Sequence, residues 1–374
     1  MQYTARVIDA ELRARLAAAG AVLIEGPKAC GKTASAREVA ASEVLLDVDR
    51  SAREAVAVAP ELVLDGAPPR LLDEWQVAPD LWNHVRRAVD TRGWPGQFIL
   101  TGSAVPADDA TRHTGGGRIA RLRMRPMSLF ELGESSGALS LGALLATGPA
   151  PARSADLTVP RVAELIAAGG WPANRTRTGA AALQFVRDYL EDVRRTDIER
   201  VDGTRRDPLR VGRLLAALAR NIGTPASLTL LARETQDAAD GQLTDATAAD
   251  YLAALARLMV VEDLPAWAPH LRARARLRTS AVRHFVDPSL AVAALRASPQ
   301  RLLADCRDGA GRLGGVRSQA RPRPDRRRGG YAAPLRREDR HHEVRRTEGA
   351  RGDRPRWLRP RPSRRGRGDP DRCV

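Results

Sequence analysis

Gly26-Pro27-Lys28-Ala29-Cys30-Gly31-Lys32-Thr33 matches the phosphate loop G-x-x-x-x-G-K-[ST] without a gap. It follows the apolar run Ala21-Val22-Leu23-Ile24-Glu25 and precedes residues 33–41, rich in Ala, Ser, Arg and Glu, so a strand, a glycine loop and a helix come in order. The glycines permit positive φ and close backbone approach. Successive N–H groups then form an anion nest at the positive end of the helix dipole. Gly26, Pro27, Lys28, Ala29, Cys30, Gly31, Lys32 and Thr33 are therefore the expected nucleotide-binding residues. The chain has 61 basic residues, yet its two lysines, Lys28 and Lys32, both fall in this loop. An ammonium is a compact point charge that fits between terminal phosphates, where a guanidinium fork would collide with the loop. Lys32 is expected to bridge the outer phosphates of ATP, and the Thr33 hydroxyl to ligate Mg2+.

Outward from the loop, residues 7–19 read as an amphipathic helix with Leu12 and Leu16 on one face. Residues 44–49, 70–76 and 97–103 read as further strands, with a helix at 81–89. This alternation predicts an α/β fold: a parallel sheet with helices on both faces and its chemistry at the carboxyl ends of the strands.

A phosphate loop alone binds nucleotide; turnover needs an activated water. Leu71-Leu72-Asp73-Glu74 ends a buried strand beside the loop and supplies the Walker B counterpart. Asp73 is expected to hold the Mg2+ through its water shell, and Glu74 to polarise the attacking water. Such an acid pair is also common on surfaces, but its place at the end of an apolar strand favours function. Thr101 or Ser103, ending the next strand, is expected to contact the terminal phosphate or the water, with a plain Thr-Gly-Ser turn as the alternative. Arg118 and Arg121, after Gly115-Gly116-Gly117, are the candidates for a cation delivered to the terminal phosphate, in trans if the chain assembles. Their bland reading is cover for a solvated strand edge. The Cys30 thiol lies near a helix N-terminus that would acidify it, although a small filler is the simpler reading.

The net charge of +16 invites a nucleic-acid reading, but from Cys306 to Val374 there are 22 basic and 9 acidic residues. Everything before that tail carries only +3. Three scattered cysteines make neither a disulfide framework nor a zinc site, and no H-E-x-x-H pattern occurs. With no apolar leader at the N-terminus and no run long enough to span a membrane, a cytoplasmic protein with no membrane partner is expected.

A Gly/Pro/Ala stretch at 148–153 reads as a linker, and helices are expected at 160–168, 180–195, 207–222, 227–234 and 246–259. Strand-like segments at 260–264 and 280–286 follow. Three helices and a two-stranded wing are the order of a winged helix, which makes DNA a candidate partner. The expected domains are 1–146 (ATPase), 147–206 (linker and helical segment), 207–303 (winged-helix-like) and 304–374 (disordered basic tail).

The phosphate loop, Leu72-Asp73-Glu74-Trp75-Gln76, Leu100-Thr101-Gly102-Ser103, Arg125-Pro126-Met127-Ser128-Leu129-Phe130-Glu131 and Gly169-Gly170-Trp171-Pro172 together resemble the AAA-type ATP-binding proteins of bacteria and archaea that carry a C-terminal domain of unknown function. The resemblance spans roughly residues 1–303. It implies an ATPase core, a winged-helix-like region and a nuclease-like segment with an E-x-K metal site. The chain departs from that last part, because no lysine follows Lys32.

From about Cys306 the sequence lacks Ile, Phe and Met and becomes Arg, Pro, Gly and Asp, a composition that buries no core. It reads as a shifted frame of a GC-rich gene. An apolar pattern in another frame past codon 305 would support this, and its absence from both would refute it. The competing view is a genuine basic arm for phosphate backbones. The functions weighed are Mg2+-dependent ATP hydrolysis that moves the helical half, a nucleotide-controlled DNA-binding regulator with little turnover, and, last, a small-molecule phosphotransferase.

Overall fold

The computed structural model describes residues 3–104, 114–148, 151, 156–237, 241–265 and 281–308. Its first part runs α1 (Ile8–Ala18), β1 (Ala21–Glu25), α2 (Lys32–Arg37), β2 (Ser42–Leu45), α3 (Arg50–Val58), α4 (Pro60–Leu64), β3 (Arg70–Asp73), α5 (Leu81–Arg92), β4 (Phe98–Gly102) and β5 (Ile119–Arg123). The five strands are parallel and lie in the order β2-β3-β4-β1-β5.

Alternation along β1 sorts the core into two layers, because successive side chains of a strand point to opposite faces. Val22 and Ile24 pack with Leu12, Leu16, Ala36 and Leu122, whereas Ala21 and Leu23 pack with Val56, Leu72, Trp82 and Phe98. Helices α1 and α2 thus cover one face and α3, α4 and α5 the other, which is why the central strands are apolar throughout. The strand expected at 44–49 begins earlier and stops at Leu45. Asp49 is the reason: its side chain accepts from the Ala52 N–H at 2.9 Å and starts α3, a capping role no strand interior allows.

The second part runs α6 (Leu141–Thr147), α7 (Val159–Ala168), α8 (Gly179–Asp192), a π turn (Val193–Asp197), α9 (Ile198–Arg200), α10 (Pro208–Arg220), α11 (Leu228–Arg233), α12 (Asp245–Arg257), β6 (Val261–Leu264), β7 (Val282–Phe285), α13 (Pro288–Ala294) and α14 (Pro299–Asp308). Thr158, Asp207, Ser227, Thr244 and Asp287 each cap the helix they precede by accepting a backbone N–H. Val211, Leu214, Leu231, Leu255 and Leu290 centre its core. The ribbon is antiparallel, with Val261 opposite Phe285. Several boundaries differ from expectation; the helix at 180–195 passes into the π turn after Asp192, and α14, whose Leu302 packs with Ala163 and Val292, runs past residue 303 to Asp308. His113, most of the expected linker and the tail from residue 309 lie outside the described residues.

Gly169-Gly170-Trp171-Pro172 joins the two parts. A Cβ at Gly170 would lie 2.0 Å from the Met127 carbonyl oxygen, so only glycine fits that close approach. The Met127 N–H donates to the Gly170 carbonyl at 2.6 Å, the Gly170 N–H to Asp287 Oδ2 at 2.9 Å, and Trp171 Nε1 to Ser289 Oγ at 3.0 Å. Among the described residues no helix is long and apolar enough to cross a membrane, and no group of three or more His, Cys, Asp or Glu could hold a metal.

Candidate functional site

The strand order sets β1 beside β4 and β4 beside β3, so the phosphate loop, Thr101 and Asp73 emerge side by side at one end of the sheet. Gly31 has φ 103°, a left-handed conformation, and a Cβ at Gly26 would lie 2.1 Å from the Met124 carbonyl oxygen. Both glycines of the loop are therefore required by geometry. Lys32 is buried, and its Nζ donates to the carbonyls of Gly26 at 3.0 Å and Pro27 at 2.9 Å.

Two clusters face the loop. In one, Asp73 Oδ1 accepts from Thr33 Oγ1 at 2.8 Å and from Thr101 Oγ1. In the other, Glu74 stands on left-handed backbone at φ 54°, which a non-glycine residue adopts at a cost of roughly 1–2 kcal/mol. Its Oε2 accepts from Gln76 Nε2 and from Ser103 Oγ at 3.2 Å. Lys32, Thr33, Asp73, Glu74, Thr101 and Ser103 are thus brought together.

Arg118 and Arg121 are placed elsewhere. The Arg118 carbonyl accepts from the Ala21 N–H at the amino end of β1, opposite the loop, and its Nε pairs with Asp90 at 2.8 Å. Arg121 lies on the edge strand β5, pairs with Glu25 at 3.1 Å and stacks over the Trp82 ring at 5.4 Å. Neither sits among the groups facing the phosphate loop within this chain. Cys30 is fully buried, its Sγ lies 3.8 Å from the Met124 carbonyl oxygen, and burial pushes the thiol's pKa up, so it fills space.

Two supports of the loop carry no local sequence signal. Arg6 is buried and donates to the Cys30 carbonyl at 2.9 Å, to the Arg125 carbonyl at 2.8 Å and to Glu131 at 2.8 Å. Lys28 Nζ pairs with Asp197 of the π turn at 3.3 Å. Glu131 alone was findable, because Ser128-Leu129-Phe130-Glu131 has capping-box spacing: the Ser128 N–H donates to its carboxylate at 2.7 Å.

Burial works against the Glu131 charge, yet the Ser128 and Val7 N–H groups and the Arg6 guanidinium outweigh it and hold its pKa below the usual carboxylate value. A depressed folded pKa gives stability that is present above the unfolded value of about 4.3 and lost as pH falls through the folded value. Glu131→Gln, which strands a buried cation, is expected to cost about 3 kcal/mol at neutral pH and to flatten the acid loss of Tm. Equally steep acid loss in the variant would remove Glu131 from that role.

Residues 18–133 match the family model of the AAA domain, and residues 159–301 match that of a domain of unknown function, DUF8612. The chain thus carries an AAA domain followed by a domain of unknown function. Uncharacterized proteins of Mycobacterium tuberculosis and Mycobacterium bovis are each 30% identical over 131 residues, 34% of this chain. The match spans 30% of the length of those relatives. Among solved structures, the Aeropyrum pernix ORC2 protein in ADPNP and ADP complexes gives a TM-score of 0.37 at 13% identity, with 81% of this chain and 96% of that chain covered. The Aeropyrum pernix ORC1 protein in complex with DNA gives 0.29 at 17% identity, covering 80% and 94%.

Proposed function

We propose that the chain hydrolyses ATP with Mg2+ and uses the cycle to move its helical second half. The observation that carries the chemistry is the meeting of Thr33 and Thr101 on Asp73 Oδ1, with Glu74 next in the chain, its backbone N–H donating to the same Thr101 Oγ1 at 3.3 Å. Hard oxygen donors from a hydroxyl and a carboxylate suit Mg2+, which keeps several waters and takes further ligands from phosphate. Thr33 and Asp73 would hold it, and the ion would neutralise charge on the transferring phosphoryl group. The loop amides and Lys32 bind phosphate, and Glu74 takes a proton from water. A groove of about 360 Å³ on the outer side of Gly31, lined by Tyr3, Thr4, Ala34, Met127, Pro172 and Arg175, is sized for the base and ribose. A larger cavity of about 830 Å³ shares Tyr3, Thr4 and Arg175 with it but includes no residue of the phosphate loop, so we assign it no part in the reaction. Mg2+-dependent ATP turnover by the purified chain tests the reading, and folded protein that binds ATP without consuming it would refute hydrolysis.

The coupling rests on a second cavity, of about 430 Å³, in which Lys28, Glu74 and Ser103 face Tyr189, Asp197 and Arg200 of the helical part. The Lys28–Asp197 pair is half-exposed on the lysine side, weak enough for a competing phosphate to break. ATP would then claim Lys28 and leave the Asp197 carboxylate facing anionic oxygens. Hydrogen exchange at Val193–Asp197 is expected to quicken on adding ATP to the wild type, and to be quick without ATP in Asp197→Asn. Exchange unchanged by saturating ATP would overturn the coupling.

The DNA-binding alternative gains nothing from α12, the third helix of the winged-helix-like order. Its exposed positions are Asp245, Ala246, Asp250, Ala253 and Ala256, and its one arginine, Arg257, is held by Asp202 at 3.2 Å and the Val201 carbonyl at 2.7 Å. A helix read against phosphates needs cations on that face. Duplex binding at low salt would revive the alternative.

A further inference from the structure

We propose that Arg6 is a positioning residue of the nucleotide site: by holding the Cys30 carbonyl it aims the Gly31 N–H at the phosphates. The assignment rests on the ATPase reading above. Arg6 Nη1 donates to the Cys30 carbonyl oxygen at 2.9 Å, and a Cβ at Gly31 would lie 3.3 Å from the same nitrogen. The guanidinium is therefore packed against one side of the Cys30–Gly31 peptide unit. A trans peptide is planar, so its C=O and N–H point in opposite directions. With the carbonyl tied to Arg6, the Gly31 N–H is directed away from it. Arg6 and Gly31 both line the groove sized for base and ribose. The N–H thus faces the other side of the loop, where the phosphates lie in that reading. Ala29 at φ 61° and Gly31 at φ 103° flank Cys30, the change of backbone hand that turns successive N–H groups into an anion nest. A carbonyl bonded to a cation also polarises its peptide unit, which makes the N–H at the other end a stronger donor.

Every donor direction of Arg6 is fixed. Its Nε donates to Glu131 Oε1 at 2.8 Å and its Nη2 to the Arg125 carbonyl at 2.8 Å, so the fork cannot turn without breaking both bonds. Its backbone is anchored as well. The Arg6 N–H donates to Asp9 Oδ2 at 2.8 Å, and Asp9 Oδ1 accepts from the Tyr3 hydroxyl, which meets Ser35 Oγ of α2 at 2.8 Å. The segment before α1 is thereby fastened to the helix that follows the phosphate loop. A buried ion pair is seldom worth more to stability than apolar packing of the same volume. What the guanidinium adds here is a direction, since one planar fork serves three acceptors that a single ammonium head cannot span.

The sequence Cys-Gly occurs once in the chain, at Cys30–Gly31. Protein isotope-labelled at cysteine carbonyls and glycine amides therefore gives a single carbonyl–amide correlation by NMR, that of this peptide unit. Wild type, Glu131→Gln and the double variant Arg6→Met/Glu131→Gln are compared before and after saturation with Mg2+ and ADP. Both variants lose the ion pair, but only the double variant loses the bond to Cys30, because the glutamine oxygen still accepts from Arg6. Changing both residues together avoids a lone buried carboxylate. In wild type and Glu131→Gln the Gly31 amide proton is expected to move downfield on binding. The double variant is expected to lose most of that displacement at saturation, to show the Cys30 carbonyl signal upfield before ADP is added, and to bind ADP about tenfold more weakly. Should it fail to fold, Arg6→Lys, which keeps a cation for Glu131 but gives up the fork, is expected to show the same loss. A full Gly31 displacement without the guanidinium would overturn the assignment and leave Arg6 a packing residue. So would an equal loss in Glu131→Gln, since the ion pair would then carry the effect. A wild type whose Gly31 signal does not respond to saturating ADP would overturn the phosphate-loop reading itself, and this assignment with it.

Discussion

Lys32→Ala is expected to weaken ATP binding roughly a hundredfold or more while leaving the protein folded. Lys32 is buried in the loop with its ammonium held by the Gly26 and Pro27 carbonyls at 3.0 and 2.9 Å. Those two acceptors keep the cation at the mouth of the nest, so little ordering remains when a triphosphate arrives. Alanine removes charge-assisted bonds worth about 1.5–3 kcal/mol apiece and leaves negative phosphate oxygens in a site with less positive charge. Lys32→Arg is expected to recover little, because the planar fork is broader than the space between loop and phosphate. Calorimetry measures the loss, and thermal unfolding shows that the fold persists. An alanine variant that binds ATP as tightly as wild type would refute the loop as the phosphate site.

Glu74→Gln is expected to lower turnover by roughly a hundredfold to ten-thousandfold, the usual reach of a positioned general base, with ATP affinity essentially unchanged. Glutamine keeps the size and still meets Ser103 Oγ, which lies 3.2 Å from the carboxylate, but cannot take a proton from water. The left-handed backbone at Glu74 stays as it is, since glutamine has the same backbone preference. Single-turnover kinetics on saturated enzyme isolate the chemical step. Unaltered turnover would remove Glu74 as the base and leave water activation to another group.

The sheet and its two charged clusters were legible because their signals are local. Short continuous apolar runs mark β1, β3 and β4, and the glycines of the loop mark a place where only glycine fits. Long-range partners were not legible. Arg6 and Glu131 are 125 residues apart and Lys28 and Asp197 are 169 apart, and no spacing rule connects such pairs. The π turn at Val193–Asp197 also leaves no mark, since the extra residue is absorbed within a continuous helical pattern. Arg118 and Arg121 show the reverse problem. A glycine-rich loop followed by arginines reads the same whether the cations serve a phosphate or pair with Asp90 and Glu25, and only the strand register separates these cases.

The sheet ends in β2 on one side and β5 on the other. Both margins carry fixed charge: Arg37 holds Glu43 at 2.7 Å beside β2, while Arg121, Arg123 and Arg125 line up at β5, the last two tied to Glu262 of the ribbon. An incoming strand from another copy would have to strip these ions of water and partners before gaining a single ladder bond. The charged margins therefore oppose templated growth of this sheet into ribbons or fibrils.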